Sequence, residues 1–485
     1  MPSSNPPAAK PFFLCGKPAT SPDEIGINNP FNGTALATVS RASPEQADQA
    51  VAAMVNAFAE MRQRSAYDRQ RTCEAVLNGL RLRQAEFAEC ICRESGKPIK
   101  TARAEVDRAL TTFRLAVEES TRIGGELLPV DIDARSIGYH AMVGRFPIGP
   151  CLFITPFNFP LNLVAHKVAP ALACGCPFIV KPSDRTPLTA LLLGELLAET
   201  DLPPGAWHIL PCSTAATQKL AADPRIALVS FTGSAEVGWK IRQAAYTKEV
   251  LLELGNNSAV IVEPDVDLAD AAKRIAAAAF SYAGQSCISV QRVMMHRTIE
   301  KQFTKELIAA THALKLGDPA DEQTDVGPVI DQAAADRIRG WITEAVASGA
   351  EVLCGIGAQP VQNASYNPTL LPPTLLRNVP TSSPLLRQEA FGPVAILESY
   401  DDFDEALSRI NAAEFGLQAG VFTHDIRRAQ RAFETLDIGG VIINDVPTLR
   451  IDNMPYGGVK NSGLGREGVR YAIEHMTYRK VCIWR

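Results

Sequence analysis

Three side chains of unlike chemistry stand out from their surroundings. Cys287 lies in AGQSCIS, just after Gly284, a helix-ending type of residue. A thiol presented on a turn can act as a nucleophile, although Cys287 taken alone reads better as a buried structural thiol. Glu253 interrupts the apolar run Val250–Leu254, where a carboxylate is either paired or functional. Asn158 sits between two prolines in PFNFP, directly after an apolar run. A rigid turn at the carboxyl end of a parallel strand is where α/β sites assemble, but a plain turn residue fits Asn158 equally well. Together, a nucleophile, a base and an amide donor are the parts needed for acyl chemistry.

Phosphate-binding signals are subtler. Gly463-Leu-Gly465-Arg-Glu-Gly468 has the spacing of a dinucleotide fingerprint, but it follows MPYGGVKNS rather than a strand, so it reads as a decoy. FTGSAEVG is better placed: a strand ending near Phe231 meets Gly233 and Ser234, then a helix carrying Gly238. Backbone N–H groups at such a helix start can face a pyrophosphate, although an ordinary strand–turn–helix junction has the same pattern. Lys181, ending the PFIVK run, could bond ribose hydroxyls; alone it reads as a surface lysine.

Positioning these groups requires alternating strands and helices. Short apolar runs predict strands at 151–155, 177–183 and 227–233, separated by helices at 161–173, 186–199 and 234–245. Buried parallel strands with crossover helices fit that rhythm. A second set has strands at 258–264, 394–400 and 439–445, and a helix at 268–282 capped by Asp267. That helix leads into Cys287, with a strand expected over 288–293. Upstream, Ser43-Pro44-Glu45 opens a helix, and more helices follow, including one over 104–120. Residues 127–146 predict a long two-stranded ribbon, which a terminal strand at 476–483 could rejoin. Two α/β domains are expected.

Composition narrows the function classes. The 485 residues carry 46% hydrophobic and 21% charged side chains, which excludes a disordered chain. A net charge of −5 without a basic block argues against nucleic acid and anionic membranes as partners. Eleven cysteines, an odd number with no CxxC, suit a reducing compartment. The uncharged stretch between Arg145 and Lys167 holds Pro147, Pro150, Pro156 and Pro160, which argues against a membrane helix. No secretion signal is visible, so a cytoplasmic location is expected; no bound metal is expected.

PFNFP, KPSDRTP, FTGSAEVG, LELG, GQSC, EAFGPV and PYGGVKNSGLGRE occur in this order along the chain. The combination resembles the aldehyde dehydrogenase superfamily over essentially the whole length. DVPTLRIDNMPYGG is similar to its lactaldehyde and succinic-semialdehyde branch. The resemblance implies an α/β fold with two Rossmann-like parallel-sheet domains and a β-ribbon for oligomerisation. It places a coenzyme-binding domain at 1–125, 146–254 and 446–468, a catalytic domain at 255–445, and the ribbon at 126–145 and 469–485. It implies oxidation of an aldehyde to a carboxylic acid with NAD or NADP, through a cysteine thiohemiacetal and thioester. Cys287 then matches the nucleophile, Glu253 the general base and Asn158 the oxyanion donor. Lys181 matches the ribose-binding lysine, Ser234 the pyrophosphate contact, and Glu389 and Phe391 the residues holding the nicotinamide ribose and ring. Thr155, Pro156, Phe157, Ser183, Asp184, Gly233, Val237, Leu254 and Gly255 complete the implied coenzyme cleft. A homodimer or homotetramer is implied.

Two positions depart from the family pattern. Asn256 stands where a second glycine is usual; asparagine tolerates left-handed backbone, so the turn is expected to survive. Asp184 replaces a longer glutamate that often reads the adenosine ribose. Its charge favours NAD, while its shortness, beside Ser183 and Arg185, leaves room for NADP. Arg450 and Arg114 correspond to positions bordering the substrate tunnel. An arginine pair suits a short aldehyde with an anionic tail, such as succinic semialdehyde, although structural salt bridges are an equal alternative. A CoA-acylating enzyme and a catalytically silent protein of the same fold are the competing functions.

Overall fold

The structure, a computed structural model, describes residues 9–357 and 367–485. The first eight residues of the expected coenzyme-binding domain fall outside that range.

One large sheet has eight strands, in the order Lys17–Ala19, Phe12–Leu14, Trp207–Ile209, Phe178–Lys181, Cys151–Ile154, Leu228–Thr232, Glu249–Glu253 and Gly463–Leu464. Its five central strands are parallel, as their continuous apolar runs require. The chain winds outward in both directions from Cys151–Ile154, so the topological switch lies between that strand and Leu228–Thr232. Ligands bind in the crevice outside the carboxyl ends at such a point, and the turns bearing Asn158 and Ser234 leave from there. The helix Asn162–Cys174 is buried along its whole length, and its side chains are apolar apart from Asn162, His166 and Lys167.

A second sheet of seven strands contains Ala259–Val262, Arg292–His296, Thr374–Arg377, Val394–Tyr400, Gln418–Phe422 and Gly440–Ile443 in parallel, with Glu351–Cys354 antiparallel at one edge. Each large sheet supports its own apolar core. A third sheet pairs Thr477–Trp484 with His140–Pro147, and the latter with Glu126–Leu128. The expected ribbon is thus a three-stranded antiparallel sheet completed by the last strand. One face leaves Leu127 78%, Met142 48% and Trp484 46% exposed.

Local signals account for several element ends. Ser43 caps the helix Pro44–Met61, and Gln46 closes the capping box. Asp267 caps Leu268–Phe280 through the N–H groups of Ala269 and Asp270. That helix stops two residues earlier than its apolar pattern predicts. Tyr282, Ala283 and Gly284 then take left-handed φ of 50°, 53° and 70° in succession. Glycine is required at 284, because a Cβ there would lie 2.2 Å from the Gly392 carbonyl oxygen. The following strand begins at Arg292, not at 288; residues 287–291 remain a turn.

Among the described residues no helix is long and apolar enough to cross a membrane.

Candidate active site

Asn158, Glu253 and Cys287 converge on one cavity of about 910 Å³. Each arrives by a different route. Asn158 leaves the end of Cys151–Ile154 and donates through Nδ2 to the Gln285 carbonyl at 3.0 Å. A carboxamide carries two N–H donors, so a second is left for the cavity. Gln285 is itself pinned: its Nε2 donates to the Tyr282 and Pro328 carbonyls, both at 3.3 Å, and its Oε1 accepts from Ile330 N–H at 2.8 Å. The strained turn before Cys287 is therefore held on three sides.

Glu253 is the last residue of its strand, in register between Thr232 and Gly463. Its side chain is buried, and Oε2 has no hydrogen-bond partner among the described residues. Burial, followed by the nearby charge of Glu467, holds its carboxyl well above the usual range. Burial pushes the Cys287 thiol up to about 12; the Tyr456 hydroxyl and Arg450 oppose that, while Glu389 and Glu253 reinforce it. The sulfur lies 3.2 Å from the Tyr456 oxygen.

A buried charge network flanks these groups. Glu467 pairs with Lys167 at 2.6 Å and with Arg450 at 3.1 Å, and Lys167 also donates to Ser230 Oγ at 2.8 Å. The two cations outweigh burial and hold the Glu467 carboxyl down to about 2. Asp452 accepts from Arg108 at 2.7 Å and faces His166 at 3.0 Å. Burial and the charge of Arg450 lower His166 to about 4, so its ring is neutral near pH 7. Sequence reasoning missed Lys167, Glu467, Tyr456 and Arg108. A lysine in a continuously apolar helix was the available signal for the first, since such a charge must find a partner.

The cavity wall on the far side rests on another buried pair. The Lys97 ammonium contacts the Glu105 carboxylate and lies 3.8 Å from the Phe159 ring centroid and 4.7 Å from that of Tyr282. Glu105 Oε1 accepts the leading N–H groups of Leu161 and Asn162, at 2.9 and 3.1 Å. A negative charge at a helix start is favourable, and here it ties the helix after Asn158 to the tunnel wall.

Arg114 is not at the cavity. It is exposed and paired with Glu118 at 2.5 Å, one turn along its own helix. The helix runs from Ile99 to Ser120 and presents Thr101, Ala104, Glu105 and Arg108 to the cavity. Six residues separate Arg108 from Arg114, which turns the latter about 120° away. Arg450 does line the cavity, and its Nε has no partner among the described residues.

On the coenzyme side, Pro156, Phe157, Gly233, Ser234, Leu254, Gly255, Glu389 and Phe391 line the same cavity. Ser234 heads the helix Ala235–Ala244 without capping it through its side chain, so leading N–H groups stay available to an anion. Thr232 Oγ1 nearby is buried without a partner. At Gly255 a Cβ would stand 2.6 Å from Glu389 Oε2. Glu389 accepts from Asn256 N–H at 3.1 Å, and burial raises its carboxyl to about 7. The Phe391 ring meets Phe157 edge-on at 5.8 Å. An anion-ready helix start, an orphaned hydroxyl and an open cradle fit a dinucleotide.

Thr155, Lys181, Ser183 and Asp184 do not line this cavity, Asp184 lines a separate smaller pocket with Arg185 and Ile330, and Val237 is on the exposed side of its helix. Lys181 Nζ pairs with Asp184 at 2.7 Å, and Arg41 approaches the same carboxylate at 3.8 Å. Asn256 does not use left-handed backbone. Its Nδ2 instead donates to Ser258 Oγ at 2.6 Å and to the Gln418 carbonyl at 3.3 Å, and those bonds hold the turn.

Comparison with known proteins agrees with the geometry. The profile of the aldehyde dehydrogenase family matches residues 17–482. The 3-sulfolactaldehyde dehydrogenase of Priestia megaterium is 40% identical over 477 residues, covering 97% of each chain. Aldehyde dehydrogenase 21 from Physcomitrella patens, solved with the reaction product succinate, superposes with a TM-score of 0.95 at 42% identity, covering 99% of both chains. The NADP complex of glyceraldehyde-3-phosphate dehydrogenase from Bacillus halodurans superposes with a TM-score of 0.93 at 32% identity, again over 99% of both.

Proposed function

Since the chain belongs to the aldehyde dehydrogenase family and is an NAD(P)-dependent enzyme, we propose that it oxidises a short aldehyde bearing an anionic group at its far end. Succinic semialdehyde and lactaldehyde-like compounds are of this size.

The geometry supports the following roles. Cys287 Sγ adds to the aldehyde carbon, and Asn158 Nδ2 stabilises the oxyanion that forms. One such donor is worth about 3–4 kcal/mol. The resting thiol must give up its proton, and the unpartnered Glu253 Oε2 on the same cavity wall can take it, directly or through a water. When bound, NAD(P) accepts the hydride that converts the thiohemiacetal to a thioester. Gly233, Ser234, Glu389 and Phe391 would hold it, with Lys181 at the ribose. Once it has released the thiol proton to solvent, Glu253 removes a proton from the water that hydrolyses the thioester; a carboxyl with a raised pKa is suited to this.

The observation that carries the anionic tail is a pair of guanidinium groups. Arg108 and Arg450 both line the cavity, where one anion can meet the two. The sulfonate-bearing substrate of the Priestia relative and the succinate in the Physcomitrella structure support the same class. We expect kcat/KM for succinic semialdehyde to exceed that for butanal by about 100-fold, since hydrogen bonds to charged groups are worth about 1.5–3 kcal/mol each. Arg108→Gln should remove about tenfold of this for the semialdehyde and little for butanal. Equal values for both substrates in the parent enzyme would refute the anionic tail.

The same reading assigns 1–125, 146–254 and 446–468 to coenzyme binding, 255–445 to the catalytic unit, and 126–145 with 469–485 to self-association. Membership of the strands in separate sheets supports it, although the helix Val469–His475 packs into the core of the eight-stranded sheet and only Thr477–Trp484 joins the ribbon. The exposed apolar side chains of the three-stranded sheet are of the kind that pair between copies. Light scattering should therefore report a dimer or tetramer, and a monomer at micromolar concentration would contradict it.

A further inference from the structure

Tyr456 has a hydroxyl that its packing does not need. The ring lies in a small apolar cluster with Ile288, Leu417 and Met454, and phenylalanine would fill the same space. The residue is only 3% exposed, and a buried hydroxyl without a partner is costly. Its one side-chain partner among the described residues is the sulfur of Cys287, at 3.2 Å. The backbone fixes that approach: Tyr456 N–H donates to the Glu467 carbonyl at 3.0 Å, and Glu467 N–H returns a bond to the Tyr456 carbonyl at 2.6 Å. The Arg450 guanidinium covers the ring, 3.8 Å from its centroid.

We propose that the Tyr456 hydroxyl is a further catalytic group, donating its hydrogen bond to the Cys287 thiolate, with Arg450 as the positioning residue that holds the ring. This rests on the reading of Cys287 as nucleophile. Burial keeps the phenol protonated, so it donates and the sulfur accepts. The charged and titratable groups facing this pair are Arg450, Glu253 and Glu389. Arg450 favours the thiolate, and both carboxylates oppose it. The hydroxyl therefore acts with Arg450 against the field of the site. It serves twice: it stabilises the attacking thiolate, and it stabilises the same thiolate as it leaves during thioester hydrolysis.

The test is Tyr456→Phe. Alkylation of Cys287 by iodoacetamide at neutral pH, followed peptide by peptide to separate it from the other cysteines, should slow by about tenfold or more. The kcat/KM for the aldehyde should fall by a similar factor, with coenzyme KM and unfolding unchanged. Incorporating 3-fluorotyrosine at 456, a stronger donor of the same shape, should move alkylation the other way and guards against a folding defect. Unchanged alkylation in both variants overturns the proposal while leaving the nucleophile assignment standing. A parent enzyme that alkylates at Cys287 but oxidises no aldehyde would instead overturn the assignment.

Discussion

Changing Cys287 to serine is expected to lower aldehyde oxidation by about 10⁴-fold or more, while coenzyme binding and unfolding stay as in the parent. Serine keeps the shape and the position on the turn. It loses a polarisable nucleophile and a good leaving group, and both bond-making and bond-breaking at residue 287 depend on those. The turn itself is held by Gln285 and by the Gly284–Gly392 approach, neither of which involves the sulfur. Reduced-coenzyme absorbance on adding aldehyde measures the first effect, and fluorescence titration with coenzyme measures the second. Turnover within tenfold of the parent would mean that another group attacks the carbonyl.

Changing Glu253 to glutamine is expected to separate the two halves of the reaction. Hydrolysis of the thioester should slow by about 10²–10⁴-fold. Reduction of the first coenzyme per site should slow far less, since solvent water can take the thiol proton in place of Glu253, so a burst should precede a slow steady state. The pH dependence follows from the raised pKa of this carboxyl. Only its ionised form is a base, so the parent's steady-state rate should climb as pH rises through that pKa, and the variant should lose the climb. Stability should move oppositely. A carboxyl whose folded pKa lies above its unfolded value binds its proton more tightly when folded, and its stabilising contribution is lost as pH rises through the folded pKa. Above that pKa the glutamine variant should therefore resist denaturant better than the parent. A variant with no burst, and with the parent's steady-state rate, would show that Glu253 is not the base.

What could be read from sequence depended on how far apart the interacting residues lie. Short-range chemistry was legible. Apolar runs marked the strands Cys151–Ile154, Leu228–Thr232 and Glu249–Glu253, and the turns beyond them carry Asn158, Ser234 and Gly255 into one cavity. Hydrophobic periodicity is blind to a polar stripe, however. The helix face with Thr101, Ala104, Glu105 and Arg108 shows no apolar repeat, so Arg114, next to the apolar face, drew attention instead. The strand start at Arg292 was misplaced because Ile288 is apolar for a different reason: it packs against Tyr456 and Leu417. Asn256 was credited with backbone freedom, whereas its carboxamide holds the turn through side-chain bonds. The Lys167–Glu467 pair spans 300 residues, and no local pattern could have joined them.

That span has a bearing on biosynthesis. The glutamate that neutralises Lys167, and the edge strand Gly463–Leu464 that flanks Glu253, emerge from the ribosome long after the rest of their sheet. A nascent chain must either hold an uncompensated ammonium in apolar surroundings or leave that region open until its end arrives. Closure of the buried pair, and of the sheet edge beside Glu253, is thus a late event in synthesis.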